Sequence, residues 1–257
     1  MTEQPTQVTE RASFVLADNP GHMTLDGTNT WILREPGASQ SVVVDPGPLD
    51  ERHLQAVLAA AGDVGLILIT HRHFDHTEGV ARFAELTGAA ARATDPQFCV
   101  RADVLTDGEQ IVVDGLRIDV VSTPGHTADS TCFRLHDEGT LLSGDTILGR
   151  GTTVVAHPDG ALGAYLDSLA LIGELVEEGL VDRILPGHGP VIDDPGAVVN
   201  NYLDHRANRL DQVLQAVEQG AMTPREVVEM VYQDVDEVLW PAAELSVAAQ
   251  LDYLRDA

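Results

Sequence analysis

Short runs of apolar residues alternate along the chain with longer stretches in which apolar residues recur every three or four positions. The short runs predict β-strands, and the longer pattern predicts amphipathic helices. The predicted strands lie at residues 30–33, 41–44, 64–70, 110–113, 116–122, 130–135, 140–143 and 181–185. Because strands and helices alternate in sequence, we expect an α/β fold in which helices cover a sheet core.

The helical pattern occurs at residues 49–61, 80–88 and 162–176, and Gly179 follows the last of these as a stop signal. Beyond Asp194 the strand pattern disappears. A long amphipathic pattern covers residues 198–219, and Thr223 and Glu226 form a predicted capping box for a helix that ends near residue 232. Pro241 begins a last helix. We therefore predict two units, an α/β domain at residues 1–197 and a small helical subdomain at residues 198–257.

The charge of the chain limits its partners. The sequence has 41 acidic and 15 basic residues, all of them arginine, and its formal net charge is −26. A field this negative repels nucleic-acid backbones and anionic membranes. The N-terminal residues lack the basic start and apolar run of a secretory signal, and no apolar stretch reaches the roughly 18 residues of a membrane span. We expect a cytoplasmic protein that does not bind membranes.

The candidate chemistry begins where the apolar strand at residues 64–70 ends. His71, His73, Asp75 and His76 follow within six residues. Imidazole and carboxylate groups are the usual nitrogen and oxygen ligands of zinc, and a turn after a strand can direct several of them toward adjacent ions. This segment therefore predicts a metal site.

Three other predicted strands lead to similar residues. His126 follows the strand at 116–122, Asp145 follows that at 140–143, and His188 follows that at 181–185. The carboxyl ends of strands in an α/β sheet lie on one edge, so we expect the four groups to form one site. We expect the other histidines to be surface or hydrogen-bonded residues; they are His22, His53, His136, His157 and His205.

Four motifs resemble those of the metallo-β-lactamase superfamily: T-H-x-H-x-D-H at 70–76, T-P-G-H-T at 123–127, S-G-D at 143–145 and P-G-H-G at 186–189. The resemblance implies an αββα sandwich that holds two Zn²⁺ ions. By the same resemblance, His71, His73 and His126 bind one ion, Asp75, His76 and His188 bind the other, and Asp145 bridges them. His73 stands where flavodiiron-type oxygen reductases have Glu, which favours zinc, with iron or manganese as alternatives.

Residues 19–31, 144–153 and 186–190 and the helical tail resemble the β-lactamase-like protein 2 family in particular. This resemblance implies a C-terminal winged-helix-like subdomain, whose wing we expect to be truncated because the sequence stops just after the last predicted helix. Animal members of the family are single-strand endoribonucleases, and related fungal enzymes are thioesterases that act on carrier-bound acyl chains. We expect the tail helices to serve packing or homodimer formation.

These observations predict a dinuclear zinc hydrolase in which a metal-bridging hydroxide attacks the substrate. Asp75 is expected to orient this hydroxide and to accept its proton. The acidic charge favours a small activated acyl substrate, a thioester or ester, over RNA. A single-strand endoribonuclease and a metal-binding regulatory module without turnover remain the alternatives. The resemblance further implies substrate contacts by Asn29, Thr30 and Arg150.

Overall fold

Two β-sheets stack face to face in the structure, a computed structural model that describes residues 4–256. The predicted domain ranges also include residues 1–3 and 257, which lie outside the described residues. The first sheet contains, in spatial order, β1 (Thr6–Gln7), β2 (Ala12–Leu16), β3 (Asn29–Leu33), β4 (Gln40–Val44), β5 (Asp63–Leu68) and β6 (Ala90–Arg92). The second contains, in spatial order from one edge to the other, β7 (Gln110–Val113), β8 (Leu116–Ser122), β9 (Thr131–Leu135), β10 (Thr140–Gly144) and β11 (Arg183–Pro186).

Both sheets are mixed. The pairs β4–β5 and β5–β6 are parallel in the first sheet, and β10–β11 is parallel in the second, while all other neighbours are antiparallel. The apolar pattern did not predict β1, β2 or β6, which lie toward the outside of the first sheet. β1 has only two residues, and β6 consists of two alanines and an arginine, which have low strand propensity.

Seven helices accompany the sheets in the described residues: α1 (Glu51–Ala61), α2 (Phe74–Thr77), α3 (Val80–Thr87), α4 (Leu162–Glu177), α5 (Pro195–Glu218), α6 (Pro224–Val231) and α7 (Trp240–Asp256). Side chains alternate between the faces of each strand. In β4, Val42 and Val44 enter the core between the sheets, while Val43 packs against the layer of α1 and α3. In β10, Leu142 faces the same inner core and Leu141 faces α4 and α5. The predicted αββα sandwich is thus confirmed.

The long helix α5 contributes to two apolar cores. Its Val199 and Tyr202 pack with α4 in the outer core of the second sheet, and its Val213 and Ala216 pack with α6 and α7. The predicted domain boundary at residue 198 falls inside this helix. From residue 195 to 256 the described chain contains helices and no strand, and the capping box that begins α6 at Thr223 is confirmed. No helix of the described chain is long and apolar enough to cross a bilayer.

One glycine fixes the distance between the loop after β8 and helix α4. Gly125 precedes His126, has a φ of +137°, and a Cβ at this position would lie 2.3 Å from the Cα of Tyr165. We expect Gly125→Ala to lower the free energy of unfolding by about 3 kcal/mol, the range of overpacked buried sites. Urea denaturation measures this change.

Gly179→Ala is the control, because Gly179 also has a positive φ, +72°, but no atom lies within 4 Å of its added Cβ. Its cost should be the backbone strain alone, about 1 kcal/mol. Equal losses in the two variants would contradict the proposed contact with α4.

Candidate metal centre

The predicted ligands converge at one end of the sandwich, but they come from both sheets. β8, β10 and β11 of the second sheet run in the same direction, and the residues after them carry His126, Asp145 and His188. The segment with His71 to His76 follows β5, which belongs to the first sheet. The expectation that all four strand ends share one sheet edge is therefore wrong, and the site lies where the edges of the two sheets meet.

The first group of donor atoms comes from His71, His73, His126 and Asp145. The Nε2 atoms of His71 and His126 lie 3.0 and 3.1 Å from Nδ1 of His73. Both Nε2 atoms also lie 3.8 Å from Oδ2 of Asp145. Three imidazole nitrogens and one carboxylate oxygen thus surround a common point.

The second group comes from Asp75, His76 and His188. Oδ2 of Asp75 lies 3.3 Å from Nε2 of His76 and 3.2 Å from Nε2 of His188, and these two nitrogens are 3.3 Å apart. Asp145 also faces this group, because its Oδ2 lies 3.4 Å from His188 and its Oδ1 lies 3.5 Å from His76. Asp145 therefore lies between the two groups.

These separations fit metal ions. A tetrahedral ion with metal–nitrogen bonds of about 2.0–2.1 Å keeps its ligand atoms about 3.3 Å apart. The nitrogen–nitrogen and nitrogen–oxygen distances of both groups lie close to this value. Oδ1 of Asp145 is moreover buried and has no hydrogen-bond partner among residues 4–256, although buried carboxylate oxygens are normally paired. The side chains are thus able to hold metal ions.

Hydrogen bonds at Nδ1 set the tautomer of four histidines. Each Nδ1 lies against an oxygen that can accept its proton, so Nε2 is the nitrogen that faces the centre of the site and can bind an ion when it is unprotonated. The acceptors of His71, His76, His126 and His188 are Thr70 Oγ1, Asp45 Oδ2, Val154 O and Gly27 O, at 3.0, 2.8, 2.7 and 3.0 Å.

Asp45 is a supporting residue that the sequence reasoning did not identify. It is buried, and its Oδ2 accepts hydrogen bonds from Nδ1 of His76 and from Oγ1 of Thr70, the latter at 2.6 Å. Its Oδ1 accepts a third bond from the backbone N–H of Thr70 at 2.8 Å. Asp45 directly follows β4, so the strand-end pattern that indicated the ligands also marks this residue.

A second support acts on Asp75. Its Oδ2 accepts a hydrogen bond of 2.9 Å from the hydroxyl of Thr28. Asn19 in turn accepts from the backbone N–H of Thr28 at 2.9 Å and donates to its hydroxyl at 3.0 Å. The loop before β3 thereby orients a carboxylate whose side chain is 25% exposed and accessible from the cleft.

Burial and charge divide the histidines into two classes. Burial lowers the pKa of His71 well below its usual range and that of His126 to about 4, so these rings are neutral at pH 7. Burial also acts on His188, but the Asp145 and Asp75 carboxylates outweigh it and raise the pKa to about 9. The pKa of His76 is raised in the same way. Without an ion, protonation of the second group therefore compensates the charge of the Asp75 and Asp145 carboxylates.

The predicted substrate residues make polar contacts with the protein itself. Asn29 is buried, and its Nδ2 donates at 3.0 Å to the carbonyls of Pro186 and Gly189, beside His188. The buried hydroxyl of Thr30 donates to the carbonyl of Asp45 at 2.7 Å. These hydrogen bonds connect β3 to the loop after β11 and to the residue that follows β4. Arg150 is exposed and pairs with Asp26, and a substrate contact by any of the three stays a prediction.

Comparison with known proteins places this geometry in a family. Residues 23–188 match the model of the metallo-beta-lactamase superfamily, and residues 223–256 match that of the beta-lactamase associated winged helix domain. The beta-lactamase-like protein 2 homolog of Drosophila melanogaster is 34% identical over 272 residues, which cover 97% of this chain and 89% of the relative. The atrochrysone carboxyl ACP thioesterase of Aspergillus fumigatus is 35% identical, with coverage of 86% and 73%.

Solved structures agree on the fold. A metallo-beta-lactamase family protein from Thermus thermophilus superposes with a TM-score of 0.80 at 23% identity and covers 97% of this chain and 95% of its own. A beta-lactamase domain protein from Burkholderia ambifaria has a TM-score of 0.82 at 19% identity, with coverage of 99% and 88%. The chain therefore belongs to the metallo-beta-lactamase superfamily, as a hydrolase with the associated winged helix domain at residues 223–256.

Proposed function

We propose that this protein is a dinuclear zinc hydrolase that cleaves small activated acyl compounds, thioesters or esters. The observation that carries the proposal is the position of Asp145, whose Oδ2 lies 3.4 Å from Nε2 of His188 and 3.8 Å from Nε2 of His71 and His126. A carboxylate that lies between two imidazole groups can bridge two adjacent ions.

We assign the seven predicted ligands to two ions. His71, His73 and His126 would hold one ion, and Asp75, His76 and His188 the other, with Asp145 shared between them. Imidazole-rich sets suit zinc, and iron is the nearest alternative. When bound, the ions would supply an activated water and a Lewis acid for the carbonyl oxygen. The chain therefore needs no nucleophilic side chain of its own.

Asp75 is the residue we propose for proton transfer. Burial raises the pKa of Asp75, but the adjacent His76 and His188 outweigh this effect and hold the pKa well below its usual range. The carboxylate is therefore ionised at pH 7 and can accept a hydrogen bond from the attacking water. Thr28 fixes one carboxylate oxygen at 2.9 Å, which limits rotation of the group.

Two observations support an acyl substrate. Fungal relatives at about a third identity are named as thioesterases of acyl carrier proteins, including that of Aspergillus fumigatus at 35%. The net charge of −26 in addition opposes association with a polyanion. A small substrate with an activated carbonyl meets both conditions.

A substrate panel tests this function. We expect zinc-loaded protein to hydrolyse acyl-CoA, acyl-carrier or glutathione thioesters. The rate is measured from the appearance of the free thiol. His71→Ala should reduce the rate to that of zinc in buffer, because His71 supplies one ligand of the first group. His136→Ala serves as a control, because His136 lies outside both groups and pairs with Asp119.

Absence of thioester and ester turnover above the His71→Ala rate would contradict the acyl proposal. Cleavage of a labelled single-stranded RNA that Asp75→Ala abolishes would replace it with a phosphodiesterase function. Zinc binding with no hydrolysis of esters, thioesters or phosphodiesters would instead indicate a regulatory module.

Metal binding should release protons at neutral pH. Against the effect of burial, the adjacent carboxylates raise the pKa of His76 and His188, that of His188 to about 9, so the His188 ring of the ion-free protein is protonated at pH 7.5. An ion needs this ring unprotonated, so affinity should fall about tenfold per pH unit below pH 9. Calorimetric zinc titrations in buffers of different ionisation enthalpy measure the number of protons released per zinc ion bound. Binding without proton release at pH 7.5 would contradict the assignment of these histidines.

Asp45 should set metal affinity without touching the metal. Asp45→Asn keeps the shape of the side chain but weakens the acceptor for Nδ1 of His76 and for the Thr70 hydroxyl. We expect zinc affinity to fall between about tenfold and a hundredfold, as for other residues that orient metal ligands. Competition with a chelating dye measures it. Asp193→Asn, at an exposed pair with Arg183, should leave affinity unchanged, and an equal loss in both variants would contradict the role of Asp45.

A further inference from the structure

A pocket of about 270 Å³ lies between the C-terminal helices and the loops of the metal centre. We call it the Arg206 pocket. Apolar atoms form most of its surface, and its apolar side chains include Met23, Val235, Leu239 and Ala243. Polar groups enter it from α5 at His205, Arg206 and Arg209. The volume suits a small organic group rather than a polymer.

The pocket adjoins the supports of both donor groups. Thr153 and Val154 line it, and the hydroxyl of Thr153 donates to the carbonyl of Asp145 at 2.7 Å while the carbonyl of Val154 accepts from His126. Met23 lines it from the loop whose Gly27 carbonyl accepts from His188. The pocket therefore adjoins the residues that support His126, Asp145 and His188.

Two arginines in this pocket have no acidic partner. Arg206 is 94% buried, since only 6% of it is exposed, and it donates to the carbonyl of Thr153 and lies 4.9 Å from the ring of Tyr165. Arg209 donates to the carbonyl of Val231 and lies 4.1 Å from the ring of Tyr232. Among residues 4–256 neither forms an ion pair with a carboxylate, in a chain with 41 acidic residues.

The same place holds two unused hydrogen-bonding atoms. Nε of Arg206 and Nδ1 of His205 are buried, and neither has a hydrogen-bond partner within the described chain. Burial and the two neighbouring arginines lower the pKa of His205, so its ring is neutral at pH 7 and adds no charge. None of the described residues that line the pocket is an Asp or Glu. Carbonyl groups and aromatic rings do not neutralise the buried Arg206 and the partly buried Arg209, so a site for an anion is left.

We propose that the Arg206 pocket binds the carboxylate end of an acyl substrate, with Arg206 and Arg209 on the carboxylate and the apolar wall around the carbon chain. The proposal rests on the acyl hydrolase function and makes it specific: the preferred substrates are thioesters or esters of short dicarboxylic acids. An oxyanion could also come from the phosphate of a phosphopantetheine arm. The apolar wall favours the acyl carboxylate.

A binding experiment without turnover tests the pocket in the full zinc-loaded chain. The probes are the mono-N-methylamide of adipic acid, which carries a carboxylate and cannot be hydrolysed as a thioester, and neutral N-methylhexanamide. Calorimetry should show at least about tenfold tighter binding of the carboxylate probe, the scale of a charge-assisted hydrogen bond. Arg209→Gln should remove this preference, and Arg209→Lys should restore part of it.

Arg225→Gln is the matched control. Arg225 also lies over an aromatic ring, 4.8 Å from Trp240, but it pairs with Glu229 and Glu244 outside the pocket. The control should retain the preference for the carboxylate probe. Arg209 is substituted rather than Arg206 because it is less buried. Loss of Arg206 would also remove the hydrogen bond to the carbonyl of Thr153. Thermal unfolding verifies that each variant folds.

Equal binding of the two probes by the unmodified protein, or a preference that survives Arg209→Gln, would overturn the proposal. A second result would also overturn the proposal: Arg209→Gln raises the KM for hexanoyl-phosphopantetheine but leaves the KM for adipyl-pantetheine unchanged. The pocket would then bind the phosphate and not the acyl carboxylate. If the carboxylate preference is found but no thioester is hydrolysed, only the proposed function fails. If thioesters are hydrolysed without the preference, only the pocket assignment fails.

Discussion

The crowding of six other candidate ligand side chains around Asp145 is the constraint that shapes the surrounding structure. Buried imidazoles and carboxylates are unfavourable unless charge and hydrogen bonding are compensated. Here four rings are held by oxygen acceptors at Nδ1, and the two carboxylates depend on adjacent cations or protons. Bound ions would meet both demands at once. The two sheets, their loops and the first half of α5 serve to hold these groups at ligand distance.

The sequence identified side chains that the structure brings together, because its signal is local. These residues lie at or shortly after the ends of apolar strands, so the strand pattern and the residue type coincide within a few positions, as at Asp145 after β10. The arrangement of those strands in space was harder to predict. Pairing between distant segments decides that β5 belongs to one sheet and β8 to the other, and no local pattern records such pairing.

Several features of the site are not evident from the sequence. The family resemblance implies substrate contacts by Asn29 and Thr30, which stay a prediction, and in the structure their polar atoms donate to backbone carbonyls. Asp45 was overlooked because a single acidic residue before a proline is also a common turn signal. His205 was expected to be a surface or hydrogen-bonded residue, but packing of the C-terminal helices buries its Nδ1 without a partner.

Anomalous diffraction at the zinc edge, from crystals of the zinc-loaded chain, tests the account most directly. The account predicts two peaks. One should lie about 2.0–2.1 Å from Nε2 of His71, Nδ1 of His73 and Nε2 of His126, and the other at the same distance from Nε2 of His76 and His188. Asp145 should contact both. A single peak, or a second peak outside the Asp75, His76 and His188 group, would contradict the two-ion centre.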